Sequence, residues 1–203
     1  GVDKTLSKGI YNVLIGEVTA QEALVHTRFG DVLPSNKALA GAGIELIAMD
    51  NREYLLRDAI DQVKDQYDFV FVDCPPSLEL LTLNALCAAD AILVPVQGEY
   101  FALEGLSDLM NTVRIVRRSL NPALELDGVL LTMFDGRTNL ALQVAEEVKH
   151  YFPGKVFATV IPRNVRLSEA PSHGKPITAY DRTSRGAEAY TALAAEFLKK
   201  QSA

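Results

Sequence analysis

Four consecutive apolar residues, Phe69-Val70-Phe71-Val72, run directly into a carboxylate at Asp73 and then into Cys74-Pro75-Pro76-Ser77. An acid at the tip of a buried strand is where nucleotide-hydrolysing folds put the group that orders Mg²⁺ and its water shell. Magnesium is a hard cation that keeps most of its waters, so one or two carboxylates plus substrate phosphates suffice. An Asp that merely caps the following turn fits the same residues, and the pattern alone leaves both readings open. The matching phosphate cradle would read G-x-x-x-x-G-K-[ST], and no such string occurs. Gly174-Lys175 is followed by Pro176 and has Glu169 where the first glycine belongs. Gly1 to Thr5 imitates only the end of the loop, with Asp3 where a glycine is needed. Gly41-Ala42-Gly43 opens a dinucleotide fingerprint, but Leu46 stands in the place of its third glycine.

Other chemistries are less well supported. His26, His150 and His173 lie far apart, and none has a ligand partner at helical spacing, so zinc is not indicated. Ser77, His173 and Asp181 could be drawn as a triad, but no G-x-S-x-G elbow supports it. The Cys74 thiol sits beside Asp73, which disfavours the thiolate, and it reads as a small buried residue. Met110 and Met133 read as single core fillers.

These residues need a scaffold, and the spacing predicts one of alternating strands and helices from about residue 29 onward. Asp31 to Pro34 reads as a short strand, and residues 37–49 are ambiguous because Gly41 and Gly43 weaken a helix. Asp50 with Glu53 at capping-box spacing starts a helix whose stripe is Leu56, Ala59, Ile60 and Val63. Phe69 to Val72 has the unbroken apolar character of a strand buried on both faces. A helix from Leu80 to Ala88, a strand from Ala91 to Val96 and a helix from about Leu103 to Leu120 follow, the last stopping before Asn121-Pro122. Then come strand Val129 to Met133, a helix capped by Thr138 and running to Phe152, strand Val156 to Ile161, an irregular basic loop around Arg166 to Arg182, and a final helix from Ser184 to Lys200. This alternation predicts a single α/β domain over residues 1–203, with a mostly parallel sheet covered by helices on both faces. Sites in such sheets lie beyond the C-terminal strand ends, which nominates Asp73 to Ser77, Pro95 to Glu99, Met133 to Asn139 and Pro162 to Arg166 as neighbours on one rim.

With 203 residues, 48% hydrophobic and 23% charged, whole-chain disorder and collagen-like fibre are excluded. No apolar stretch reaches the ~18 residues of a membrane span, no secretory leader is evident, and two cysteines make no disulfide framework. A cytoplasmic setting is expected. The net charge of −6 excludes a uniformly basic nucleic-acid glove but not a local basic face. Between Glu45 and Glu79 nine acids face three bases, whereas between His150 and Tyr190 six Lys/Arg face three acids. An anionic partner would dock on that C-terminal third, though an ordinary solvated surface can show the same small excess.

Several strings carry a family resemblance: Asp73 to Leu78, Pro95-Val96-Gln97 with Glu99-Tyr100, Ala102 to Leu106, Leu130 to Asp135 with Arg137-Thr138-Asn139, Ile161 to Pro176, and Ser184 to Glu188. Together they resemble the chromosome- and plasmid-partitioning ATPases of the ParA/Soj family over essentially the whole chain, and the long Ile161–Pro176 string favours the chromosomal branch. The resemblance implies a P-loop ATPase of the deviant Walker type. It implies binding of ATP and Mg²⁺, a nucleotide sandwich homodimer, DNA binding without sequence preference, nucleoid association, and stimulation by a ParB/Spo0J-type partner. Carried onto these residues, Asp73 would be the Walker B carboxylate acting on Mg²⁺ through water, and Cys74, Pro75, Pro76 and Ser77 the switch behind it. Met133, Pro162, Arg163 and Asn164 would border the adenine, and Arg137 and Arg166 would contact DNA.

The departure from the family is that its opening strand, K-G-G-V-G-K-T-T loop, helix and second strand ending in D-x-D-P-Q are not found here; Gly1 aligns just after them. A first βαβ unit of ~30 or more residues is therefore expected to be missing. The chain as given is expected neither to bind ATP tightly nor to hydrolyse it, and a buried apolar sheet edge is expected to be left exposed. An alternative is a short DNA- or partner-binding module without nucleotide chemistry.

Overall fold

The helical periods of the sequence recur in the structure, a computed structural model that describes residues 2–3, 5–75 and 77–202. The chain divides into two units, Gly1–Asp90 with Asn111–Leu124, and Ala91–Met110 with Glu125–Ala203.

In the first unit, α1 (Ile10–Leu14) and α2 (Ala20–Ala23) bury Val13, Ala20 and Ala23. A capping box starts α2: Thr19 Oγ1 accepts from Glu22 N at 3.2 Å while the Glu22 carboxylate accepts from Thr19 N at 2.9 Å. Strands β1 (Val25–Thr27) and β2 (Gly30–Val32) form an antiparallel hairpin. The ambiguous stretch folds as α3 (Leu39–Leu46), burying Ala42 and Leu46.

The next helix, α4 (Leu55–Asp61), starts later than the Asp50 and Glu53 spacing predicts. Arg52 takes the Glu53 carboxylate at 3.0 Å and the Ile47 carbonyl at 2.8 Å, turning Glu53 away from the cap position. Residues 50–53 make a turn instead, with Asn51 at φ +52°. The expected stripe holds: Leu56, Ala59 and Val63 are buried and Ile60 half-buried. Helix α5 (Leu80–Ala88) falls where predicted. Asn84, 1% exposed, ties α4 to α5. Its Oδ1 accepts from Leu56 N at 3.1 Å, and its Nδ2 donates to the carbonyls of Arg52 and Leu80 at 2.7 and 3.0 Å.

Phe69 to Val72 corrects the sequence reading. These residues belong to no strand and are 43, 46, 75 and 39% exposed. A strand buried on both faces needs neighbouring strands and covering layers, and among the described residues the parallel ladder joins β3 (Ala91–Gln97) to β4 (Glu125–Thr132), with no strand at 69–72.

That ladder is the centre of the second unit, running from Ala91 opposite Glu125 to Gln97 opposite Thr132. Between its strands lies α6 (Phe101–Ser119), whose residues from Asn111 on belong to the first unit. After β4 come α7 (Asn139–Tyr151), α8 (Val165–Glu169), α9 (Ile177–Tyr180) and α10 (Arg185–Gln201). Val94, Val96, Leu106, Val129, Val144 and Val148 make one core; Leu130, Phe157 and Ile161 make another with Leu193 and Phe197. Thr138 and Ser184 cap α7 and α10, accepting from Ala141 N and Ala187 N at 3.3 and 3.2 Å.

The expected strand Val156 to Ile161 is realised only as an irregular edge. Phe157 N donates to Val129 O at 3.0 Å and Ile161 N to Leu131 O at 2.9 Å. Between them, Ala158 N and Thr159 N donate to the Glu196 carboxylate of α10 at 2.7 and 2.8 Å, which diverts them from a ladder. Gly128 makes the close approach possible, since a Cβ there would lie 2.6 Å from the Phe157 ring and 2.7 Å from the Lys155 carbonyl. The basic stretch read as irregular contains α8, a 3₁₀ turn (Ala170–His173) and α9. Elements of four or five residues are too short to carry a period.

Candidate functional site

In the first unit Asp73 is exposed at the end of the Phe69–Val72 run. It offers hard carboxylate oxygens to solvent, the donor type Mg²⁺ takes. No group of three or more His, Cys, Asp or Glu able to hold a metal occurs among the described residues. A site here would thus depend on substrate oxygens and water, the usual arrangement for magnesium. Cys74 is exposed, correcting its reading as buried, with its Sγ 3.7 Å from the Val72 carbonyl. Enclosure of the sulfur itself, then the Asp73 charge, pushes the thiol above its ordinary pKa, which disfavours the nucleophilic thiolate. Pro75 is exposed, and Pro76 lies outside the described residues. Ser77 is half-buried, its carbonyl held at 2.6 Å by the Thr82 hydroxyl at the start of α5.

The second unit gathers three of the four nominated segments at one end of its ladder. Phe134 N donates to Ile161 O at 3.1 Å, Arg163 N to Phe134 O at 3.3 Å, and Phe134 bridges to Pro162. The segment that follows Met133 therefore pairs, through Phe134, with Ile161, Pro162 and Arg163. A Cβ on Gly98, just after β3, would sit 3.7 Å from the Phe134 ring and 2.8 Å from Ala141 Cβ. Met133 is 48% exposed, not a core filler, and has φ +48°. A non-glycine residue in that region carries about 1 kcal/mol of backbone strain, which surrounding contacts must hold in place. The Asn164 side chain caps α8, accepting from Arg166 N at 2.9 Å, and so fixes where Arg166 leaves the loop.

Arg137 and Arg166 are exposed, and both are engaged by carboxylates that the residue pattern left unread. Arg137 makes a two-pronged contact with Asp135, Nε to Oδ1 at 2.8 Å and Nη2 to Oδ2 at 2.6 Å. The guanidinium's hydrogen bonds hold Asp135 down to about 2, with the Arg137 N–H and the Arg163 charge assisting. Arg166 Nη1 donates to Glu169 Oε2 at 2.8 Å, and its Nε lies 3.4 Å from Asp181 Oδ2. Arg166 first and the Tyr180 hydroxyl second keep Glu169 below the usual carboxylate range. Acids two and three residues from an arginine were the available signal for both pairs.

A family described as the AAA domain matches residues 1–126. The chain is 54% identical over 199 residues to the sporulation initiation inhibitor protein Soj of Bacillus subtilis, covering 97% of this chain and 79% of that protein. It is 53% identical over 193 residues to the chromosome partitioning protein ParA of Myxococcus xanthus, covering 94% and 68%. Among solved structures, cobyrinic acid a,c-diamide synthase from Mycobacterium smegmatis, crystallised with an ATP analogue and magnesium, superposes with a TM-score of 0.75 at 39% identity, covering 81% of this chain and 68% of that one. No helix among the described residues is long and apolar enough to cross a membrane.

Proposed function

The chain belongs to the Soj/ParA family of chromosome-partitioning ATPases, an α/β P-loop fold, and from that membership we propose that its second unit holds the base end of a nucleotide and the backbone of DNA. The observation that supports this is the Phe134–Pro162 bridge, which joins the segment following half-exposed Met133 to the segment of Pro162 and Arg163, on the same unit as exposed Arg137 and Arg166. Met133 and Pro162 offer an apolar edge for a purine, Asn164 both a cap and an amide for its polar rim, and the two arginines charge for phosphodiesters. Asp73 is the residue that would hold magnesium through water, and the residues after it, Cys74 to Ser77, would carry the change of nucleotide state onward. When bound, magnesium neutralises charge on the transferring phosphoryl group. ParB/Spo0J-type stimulation and a nucleotide-bridged homodimer belong to the same reading.

Phosphate gripping needs backbone amides in a glycine-rich turn and a lysine, and these 203 residues contain no such turn. These residues are therefore assigned the base end of the nucleotide, the magnesium-ordering carboxylate and the DNA contact, and phosphate gripping is left unassigned. Retention of the chain on a mixed-sequence duplex tests the DNA part. Arg137→Ala and Arg166→Ala should each weaken binding and lower its salt dependence by about one phosphate contact; binding equal to the parent's would reject it. Salt-sensitive retention with no nucleotide added would favour a binding module without nucleotide chemistry.

A further inference from the structure

The arginines assigned to DNA already have anionic partners within their own unit. Asp135 Oδ1 accepts from the Arg137 backbone N–H at 3.1 Å, and Thr138 N donates to the Asp135 carbonyl at 3.1 Å. The turn itself therefore fixes this carboxylate, and the Arg137 guanidinium closes onto it with its Nε/Nη2 edge. Glu169 is fixed in turn by Tyr180, whose hydroxyl donates to Oε2 at 3.1 Å and whose ring stacks on His173 at 4.9 Å between centroids. Solvent-exposed pairs of this kind contribute little to stability; the Arg137 side chain is 90% exposed even when paired. Their larger effect is to set a negative charge beside each cation that a phosphate would approach.

We propose that Asp135 masks Arg137, and Glu169 with Asp181 beside it masks Arg166, from phosphodiester oxygens, so that these carboxylates weaken the chain's hold on duplex DNA. This rests on the DNA-contact reading above. A phosphate meeting the outer edge of either guanidinium comes within about 6 Å of the masking carboxylate, where repulsion in water amounts to roughly three-fold in affinity. Asp135→Asn keeps an Oδ1 to accept from the Arg137 N–H, so the turn survives while the charge is lost. Glu169→Gln likewise keeps an acceptor for Tyr180.

The test is titration of a labelled mixed-sequence duplex with the full chain and its variants across a potassium chloride series. Each carboxylate variant should bind about three-fold tighter at low salt, with a slope of log K against log salt steeper by up to ~0.9. The gain should vanish when Arg137→Ala is combined with Asp135→Asn, or Arg166→Ala with Glu169→Gln. Glu147→Gln, about 13 Å along α7 from its cap, is the control for net charge: at low salt it reads the long-range contribution of losing one negative charge, and at ~0.1 M, where the Debye length is about 10 Å, it should have little effect. Unchanged or weaker binding by the carboxylate variants, or a gain no larger than the control's, overturns masking. If the arginine variants weaken binding and the carboxylate variants do not strengthen it, the DNA contact stands and masking falls. If the arginine variants bind like the parent, the DNA contact falls. A gain that needs the arginines, even from a parent too weak to retain DNA, supports masking, and no retention by any variant overturns both.

Discussion

Asn84 commits its whole amide to backbone groups of three different segments, and it does so in a site closed to water. Asn84→Ala would leave the Leu56 N–H and the Arg52 carbonyl without that partner, at a cost of about 2–3 kcal/mol. A drop in urea midpoint at unchanged slope would show it; a change under ~0.5 kcal/mol would mean water replaces the amide. Glu196 makes a pH-dependent case. Its enclosure alone would raise its pKa, but the hydrogen bonds from Thr159 and Ala158 outweigh that and hold it below the ordinary value. A carboxylate depressed on folding contributes stability that is complete above its unfolded pKa of about 4.3 and lost as pH falls through the folded value. The parent's melting temperature should therefore fall more steeply than that of Glu196→Gln as pH drops from 5 toward ~3. Parallel curves would remove Glu196 from the acid transition. Neither residue stands out in the sequence, because their partners are backbone groups up to 38 positions away.

At the scale of elements, the close crossing at Gly128 predicts that Gly128→Val detaches the 155–161 edge from β4. The inserted carbons meet a ring and a carbonyl that cannot both give way, so a loss of about 1–3 kcal/mol is expected. Amide exchange at Phe157 and Ile161 reads it directly, and unchanged protection there would contradict the account. Elements with a period and a cap were legible from sequence: α5 from its apolar run, α6 from its stripe and the Asn121-Pro122 stop, α7 and α10 from Thr138 and Ser184. The Phe69–Val72 run was not, because an apolar run records what a segment buries when paired and says nothing of which chain segment pairs with it. The start of α4 was misread because Arg52 competes for the Glu53 carboxylate, and the edge at 156–161 because Glu196 competes for its N–H groups. Of the candidate site, the pairing of Phe134 with Pro162 followed from the rule for strand ends. The carboxylates paired with Arg137 and Arg166 did not, since ion pairs depend on where side chains turn.

Across the whole chain, one unit presents an exposed apolar run, and the other exposed Arg137 and Arg166 and a half-exposed methionine. The run should bind an apolar dye such as ANS. Phe71→Lys, at a position 75% exposed, should reduce that signal with less than ~0.5 kcal/mol effect on unfolding. The same 203 residues decide what nucleotide chemistry is possible. A triphosphate is bound through amides and lysines that meet its charge, and magnesium joins through phosphate oxygens as much as through protein. Asp73 is proposed to supply one carboxylate, and the glycine-rich turn that would meet the β- and γ-phosphates is not found among these 203 residues. The purified chain should thus show no magnesium-dependent ATP turnover above the blank, and Asp73→Asn should leave DNA retention unchanged. Supplying such a turn, by fusing the opening segment of a relative such as the Bacillus protein, should create turnover that Asp73→Asn abolishes. Turnover by the unfused chain that Asp73→Asn removes would mean that these residues grip phosphate by a route the glycine-rich loop does not describe, and the division of labour proposed here would be wrong.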